Sequence, residues 1–292
     1  MLELVLAACA TSSTRALPSA VCSGSTVRYF AFGSNLLLAK LQGRGPNGTT
    51  IGVIDREPAT VASHRLAFNM RMFPPLEPAM ASIEPADGQV CEGALYSLSR
   101  DNYEELWKSE GGTMERPGYE EIVVEASVGG KKVQAITLRA APWMRLRRDA
   151  PPSLRYKTLI LDGAREVGLS SAYIESRLEP QPAAAPSHAI TALSRAHGVV
   201  AILLFRAKLR RLLGPLRAAL YACMYAGSNR VFALLSEVTI GALLLPTACV
   251  GALIQLVLRL LGRPSIAFGP PPAAKPTNGV APVLGGGRAV GG

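Results

Sequence analysis

Val238 to Leu258 is a run of 21 residues without one charged side chain. As a helix it is long enough to cross the hydrocarbon of a bilayer. Pro246 lies inside it, which a membrane helix tolerates better than a soluble one does. Two settings satisfy such a run: a candidate membrane span over 238–258, or a hairpin of helices buried against the rest of the chain. Charge sharpens the contrast. Residues 1–180 hold 20 basic and 20 acidic side chains, and residues 181–292 hold the remaining 11 and 1. The whole net charge of +10 therefore sits in the last third. Basic residues beside apolar runs suit an anionic membrane surface. They are not interleaved with aromatics as nucleic-acid binding would want, so no nucleic-acid partner is expected.

The composition shifts divide the chain. Residues 1–25 open on an apolar run, Leu4 to Ala10, with Glu3 where a signal peptide wants a cation. They read as a disordered or targeting leader, and organelle targeting stays open because no acid follows until Asp55. Residues 26–180 read as one balanced domain. Pro and Ala crowd residues 180–188, a boundary. Residues 181–263 form a basic and apolar helical extension, in which Arg195 to Arg217 suits a single amphipathic surface helix. Residues 264–292, rich in Pro, Gly and Ala, read as a disordered tail. The five cysteines are scattered without a C-x-x-C pair, and the three histidines are isolated, so neither a metal nor a disulfide framework is expected.

Within 26–180 strands dominate. Arg28 to Phe32 is apolar and aromatic and stops at Gly33-Ser34-Asn35-Leu36, with helical turns to Leu41. Arg44 to Gly48 is a loop. Residues 60–69, 80–84 and 90–98 read as strands, with Asp87-Gly88 as a hairpin turn between the last two. Asp101 to Glu110 reads as a helix with Asp101 as N-cap and Glu104 completing a capping box. Gly111-Gly112 ends it. Residues 119–126 and 132–138 pair through Gly129-Gly130. Pro151-Pro152-Ser153 opens a helix to Val167, closed by Gly168. Another starts at Ser170 or Ser171 and runs to about Leu178.

Two features carry chemistry. The Gly33-Ser34-Asn35 junction can point backbone N–H groups one way, as an anion-binding nest, or can be an ordinary turn after a core strand. Glu110 stands in the last turn of its helix, where the dipole disfavours negative charge. Partial desolvation there would raise its pKa towards neutrality and suit it to taking and returning a proton. The plain alternative is a solvent-exposed Glu before a glycine cap.

Taken in order, the motifs resemble one family. Tyr29-Phe30-Ala31-Phe32-Gly33-Ser34-Asn35-Leu36 resembles the Y-F-A-Y-G-S-N-L signature of the gamma-glutamylcyclotransferases. Arg65 to Asn69 and Glu92 to Tyr96 resemble later strands of that family. Leu106 to Gly111 resembles its L-x-x-x-E-G, with Tyr119 following. Pro152 to Tyr156 and Gly163 to Leu169 resemble its late P-S-x-x-Y and G-A-x-x-x-G-L blocks. The resemblance covers about residues 27–180.

It implies an α+β fold, a small mixed β-barrel with surrounding helices, here with the apolar helical extension added. It implies ring closure of a small-molecule γ-glutamyl substrate to 5-oxoproline without a cofactor. Glu110 would be the base and acid. Tyr29, Phe30, Ala31 and Phe32 would line the pocket, Gly33, Ser34, Asn35 and Leu36 would hold the substrate's polar end, and Tyr119 and Tyr156 would stand beside it. Phe32 departs from the family's usual Tyr and lacks its hydroxyl. The motif wording leans towards γ-glutamyl dipeptides. Glutathione, γ-glutamylamines and a non-catalytic ligand-binding module at a membrane are the competing readings. A cytoplasmic catalytic domain, membrane-anchored or not, follows.

Overall fold

A computed structural model of the chain describes residues 17–23, 25–207, 209–226 and 230–266. Most of the leader and the tail from 267 onward lie outside the described residues. So do Gly227-Ser228-Asn229, whose wording echoes the Gly33 loop.

Six strands make one sheet: β1 (Cys22–Ser23), β2 (Thr26–Ala31), β3 (Asp55–Phe73), β4 (Glu77–Ser99), β5 (Tyr119–Val128) and β6 (Lys131–Ala140). Their order is β1-β2-β4-β3-β5-β6, and β2 also pairs with β6, parallel, at Tyr29 and Ile136. That last pairing closes β2, β4, β3, β5 and β6 into the mixed barrel expected from the sequence. The other ladders are antiparallel. Closure removes open edges and gives one interior for large side chains to fill. Phe30, Ile83, Tyr96, Leu98 and Ile136 are all fully buried. Each such side chain contributes roughly 1.5–3 kcal/mol through burial. Leu17 and Val21 also pack on this core, so the chain joins it ahead of β2.

The long β3–β4 pair departs from the expected hairpin. β4 runs unbroken through Asp87-Gly88, and residues on both sides of that dipeptide pair with β3. The register moves from Ala62↔Val90 to His64↔Pro85, so residues 86–89 bulge out of β4. Gly88 at φ 72° and Ser63 at φ 54° absorb the bend. The true reversal is at Pro74-Pro75, where proline removes donors and ends the ladder. The Gly129-Gly130 turn is as expected, with φ 53° and 80° joining β5 to β6.

The helices are α1 (Leu38–Gln42), α2 (Arg100–Ser109), α3 (Leu154–Val167), the short α4 (Ser171–Tyr173) running into a π turn (Ile174–Leu178), α5 (His188–Arg206), α6 (Gly214–Ala226) and α7 (Arg230–Leu260). Ser99, not Asp101, caps α2: its hydroxyl accepts from Asn102 N at 3.2 Å. A serine at the end of a strand has the extended backbone that an N-cap needs, and it pre-empts the aspartate two residues on. Ser153 and Gly168 cap α3 as expected, Gly168 with left-handed angles. Residues 195–217 are not one helix. The chain leaves α5 after Arg206, makes a 3-10 turn at Arg210–Leu213 and restarts at Gly214.

α6 docks on the barrel. The Tyr221 hydroxyl donates to Pro78 O at 2.6 Å and accepts from Met72 N at 3.1 Å, and Arg217 donates to Met72 O at 3.0 Å. α5 and α7 pack side by side. Gly251 approaches Ala196, His197 Nδ1 meets Thr247 Oγ1 at 2.9 Å, and Gly241 approaches Ile190. The partners advance together along both helices, so α5 and α7 run in the same direction and α6 brings the chain back between them.

Candidate active site

β2 delivers its last residues into a 3-10 turn, Ser34–Leu36, at one end of the barrel. Leu36 N closes on Gly33 O at 2.9 Å and Leu37 N on Ser34 O at 3.3 Å. Gly33 has φ −108°, a sign any residue can adopt. Its requirement is space: a Cβ there would come within 3.1 Å of both Ala81 Cβ and the Tyr156 hydroxyl. α3 presses on the turn from behind, since a Cβ on Gly163 would lie 2.3 Å from Leu37 N. Tyr96 ties the turn from within, its hydroxyl lying 2.9 Å from Asn35 O and 3.2 Å from Leu36 O. Backbone so fixed from three sides is pre-organised.

Glu110 follows α2 as its C-cap, with Gly111 beyond it at φ 80°. Its side chain is 14% exposed. Oε1 accepts from Asn35 Nδ2 at 3.0 Å and pairs with an Arg44 guanidinium nitrogen at 2.9 Å. Arg44 Nε donates to Asn35 Oδ1 at 2.7 Å, and Asn35 Nδ2 also reaches the Tyr29 hydroxyl at 3.1 Å. These bonds close a triangle of Asn35, Arg44 and Glu110. Both contacts to Glu110 fall on Oε1; among the described residues nothing bonds Oε2. The lone carboxylate expected at a helix end is therefore a paired one. The cation offsets the unfavourable dipole and fixes the orientation of the carboxylate plane.

A cavity of about 1110 Å³ opens over this triangle. Of the residues named from the sequence, Tyr29, Phe32, Gly33, Ser34, Asn35, Glu110, Tyr119 and Tyr156 line it. Phe30, Ala31 and Leu36 do not: their side chains are buried in the core. Phe30 and Ala31 back onto Gly93, whose missing side chain makes room for them, and Leu36 lies under Gly163. The three tyrosines are held as neutral phenols. Burial is the largest cause for each, and the negative Glu110 adds to it. Tyr119 donates to Ala81 O at 3.1 Å, and the Tyr156 hydroxyl accepts from Ala81 N at 3.3 Å, so both fix the β4 backbone opposite the turn.

Sequence reasoning missed Arg44, Lys40, Tyr96, Arg155 and Arg195. Arg44 belongs to a Gly/Pro/Asn-rich loop with no periodic signal. Only its spacing of nine residues from Asn35 offered a hint. Among the described residues no group of three or more His, Cys, Asp or Glu is placed to hold a metal ion.

Comparison with known proteins gives a consistent family. A model of the AIG2-like family matches residues 90–177. The chain is 31% identical over 215 residues to gamma-glutamyl cyclotransferase gliK of Aspergillus fumigatus, spanning 65% of this chain and 74% of that protein. It is 30% identical over 162 residues to gamma-glutamylcyclotransferase of Mus musculus, spanning 54% and 81%. A solved gamma-glutamyl cyclotransferase structure, 24% identical, superposes with TM-score 0.45 over 58% of this chain and 98% of its own. With relatives at this identity aligned over most of their own length, the chain belongs to the gamma-glutamylcyclotransferase family.

Proposed function

We propose that residues 26–180 catalyse cyclisation of γ-glutamyl dipeptides, with Glu110 moving the proton. The observation that supports this most is the split of the carboxylate: Oε1 anchored by Asn35 and Arg44, Oε2 unbonded, beside a cavity of substrate size. The substrate arrives with its α-amine protonated. Glu110 Oε2 takes one proton, and the freed nitrogen attacks the γ-carbonyl carbon of the same molecule. A C–N bond forms to close the ring. The protonated Glu110 then gives its proton to the leaving nitrogen as the amide C–N bond breaks, and the second proton of the ring nitrogen passes to the departing amine, giving 5-oxoproline and an amino acid with its amine as ammonium. One carboxylate serves both transfers and ends as it began. Nucleophile and electrophile share one molecule, so folding the substrate into attack geometry supplies much of the rate.

Ser34 and Asn35 start a 3-10 turn, and the first N–H groups of such a turn have no partner within it. They hold the substrate's polar end in this reading. Tyr29, Tyr119 and Tyr156 supply walls that stay uncharged, and Phe32 contributes an apolar surface where a hydroxyl would otherwise stand.

The test is 5-oxoproline release by the full-length protein from γ-glutamyl-alanine, glutathione and a γ-glutamylamine. Turnover of the dipeptide above the other two is expected. Binding without product would leave a ligand-binding module in place of an enzyme.

For the extension, residues 181–263, we propose attachment along a membrane surface. Val238–Leu260 has mean hydropathy 2.1 and is long enough to cross. Its side facing α5 and α6, through Ile240, Leu244 and Ala248, is buried, while Val238, Leu253 and Leu260 are 65%, 61% and 77% exposed. α5 brings Arg195 to the barrel cavity beside the middle of α7, and α6 is bonded to the barrel. A bilayer wrapped around α7 would have to enclose those contacts. Lying in the interface, with its exposed row in lipid and the basic segment near anionic headgroups, avoids this. The full chain should float with phosphatidylserine-containing vesicles and be released by alkaline carbonate. Retention after carbonate would show a span, and failure to float would remove the membrane.

A further inference from the structure

The cavity carries more positive charge than proton transfer requires. Lys40, Arg44, Arg155 and Arg195 line it, against Glu77 and Glu110. Arg44 is paired with Glu110 at 2.9 Å and Arg155 with Glu77 at 2.7 Å. Lys40 and Arg195 have no acid within ion-pair distance among the described residues. Two uncompensated cations in one hollow cost free energy until anions arrive. Lys40 already feels that cost: burial lowers its pKa, and the Arg44 and Arg155 guanidiniums lower it further.

The two cations come from different parts of the chain. Lys40 is on α1, directly after the Gly33–Leu36 turn, where the glutamyl end is placed above. Arg195 is on α5, in the extension. It joins the cavity together with the β3–β4 hairpin tip, whose Met72, Phe73 and Leu76 also line the hollow and whose backbone at Met72 and Pro78 is clamped by α6. That end of the cavity has these apolar side chains beside the Glu77–Arg155 pair, which leaves Arg195 as its uncompensated cation among the described residues.

We propose that Lys40 and Arg195 each receive a carboxylate, so that the cavity selects γ-glutamyl conjugates whose leaving group is an amino acid with an apolar side chain. This rests on the cyclisation reading for its substrate class. The charges match. The site has two cations in excess, and a γ-glutamyl amino acid with its amine deprotonated for attack carries two carboxylates. A γ-glutamylamine carries one and leaves Arg195 unmatched. Lys40 takes the glutamyl α-carboxylate, Arg195 takes the carboxylate of the leaving amino acid, and the hairpin tip takes its side chain. Helix α5 thereby makes the extension part of the substrate site, as a specificity wall outside the barrel.

The experiment compares γ-glutamyl-leucine with γ-glutamyl-3-methylbutylamine, which differ only in the leaving group's carboxylate. The full-length protein should favour the dipeptide in kcat/KM by about 10-fold, the value of one charge-assisted contact. Arg195→Gln should raise KM for the dipeptide by about that factor, with kcat and the amine's kinetics nearly unchanged. Arg195→Lys should recover part of the loss. Equal effects on both substrates, or none, would overturn the assignment. Calorimetric binding of both compounds to Glu110→Gln reads the subsite without turnover. Discrimination there with no product from the wild type would retain the subsite and sink the cyclisation. Product without discrimination would do the reverse.

Discussion

The barrel and the C-terminal helices solve opposite problems. The barrel hides large aromatics, Phe30, Tyr96 and Tyr103, and spends polar groups on long-range bonds that fix one geometry. The ion pairs recorded among the described residues lie between Arg44 and Glu179. The helices pack through small contacts, Gly241 and Gly251 against α5, and leave an apolar row outward. A site that must hold a proton carrier needs the first kind of construction. The second suits the membrane-surface attachment proposed above.

The largest effect expected from this contrast comes from adding one methyl to the barrel. Gly93→Ala places a Cβ 2.3 Å from Ala31 O and 2.6 Å from Phe30. Overpacking here should cost about 1–3 kcal/mol and lower Tm by several degrees. The helix counterpart is Gly251→Leu, whose Cβ would lie 1.9 Å from Ala196 O. Both tryptophans, Trp107 and Trp143, are in the barrel region, so their fluorescence reports it alone. The barrel melt should hold in Gly251→Leu while vesicle binding and KM change. A lowered barrel melt would break the division drawn here.

Arg44→Met should cut kcat by about 10- to 100-fold by releasing Oε1, and should lower Tm as well, because it leaves the largely buried Glu110 carboxylate and Asn35 Oδ1 without that partner at a cost of about 1–3 kcal/mol. An unchanged kcat would remove the anchor role. The pH dependence sharpens the same region. The Lys40 pKa lies below the usual lysine value. As pH rises through it, Lys40 loses its charge and its hold on a carboxylate, so KM should climb on the alkaline side earlier than an ordinary lysine would allow. Lys40→Met should flatten that limb. The smallest effect is at the joint between the regions. Tyr221→Phe removes the hydroxyl that bonds Pro78 O and Met72 N and should cost about 1 kcal/mol, with a few-fold rise in KM.

Local features were legible in the sequence. The apolar β2 run ending in Gly-Ser-Asn, the Gly129-Gly130 reversal, the Ser153 and Gly168 caps and the end of α2 at Glu110 are written in adjacent residues. Contacts between distant residues were not. Arg44 finds Glu110 only once the loop folds over the barrel mouth. The Asp87-Gly88 dipeptide looks the same in a hairpin and in a bulge, and the unbroken β3 opposite decides between them. Phe30 and Ala31 sit within the signature but are buried against Gly93, while Tyr29 and Phe32 on either side of them reach the cavity, a split that only the packing around the barrel end decides. Arg195 lies outside the resembling blocks, so no motif pointed to it.

The most direct test is the rate of 5-oxoproline formation by Glu110→Gln, with γ-glutamyl-leucine binding measured on the same preparation. Glutamine keeps the shape of Glu110 and can still accept at one oxygen, but it cannot carry the proton. The account predicts a fall in kcat of about 10²- to 10⁴-fold, with binding kept within a few-fold. Turnover undiminished in Glu110→Gln would contradict it.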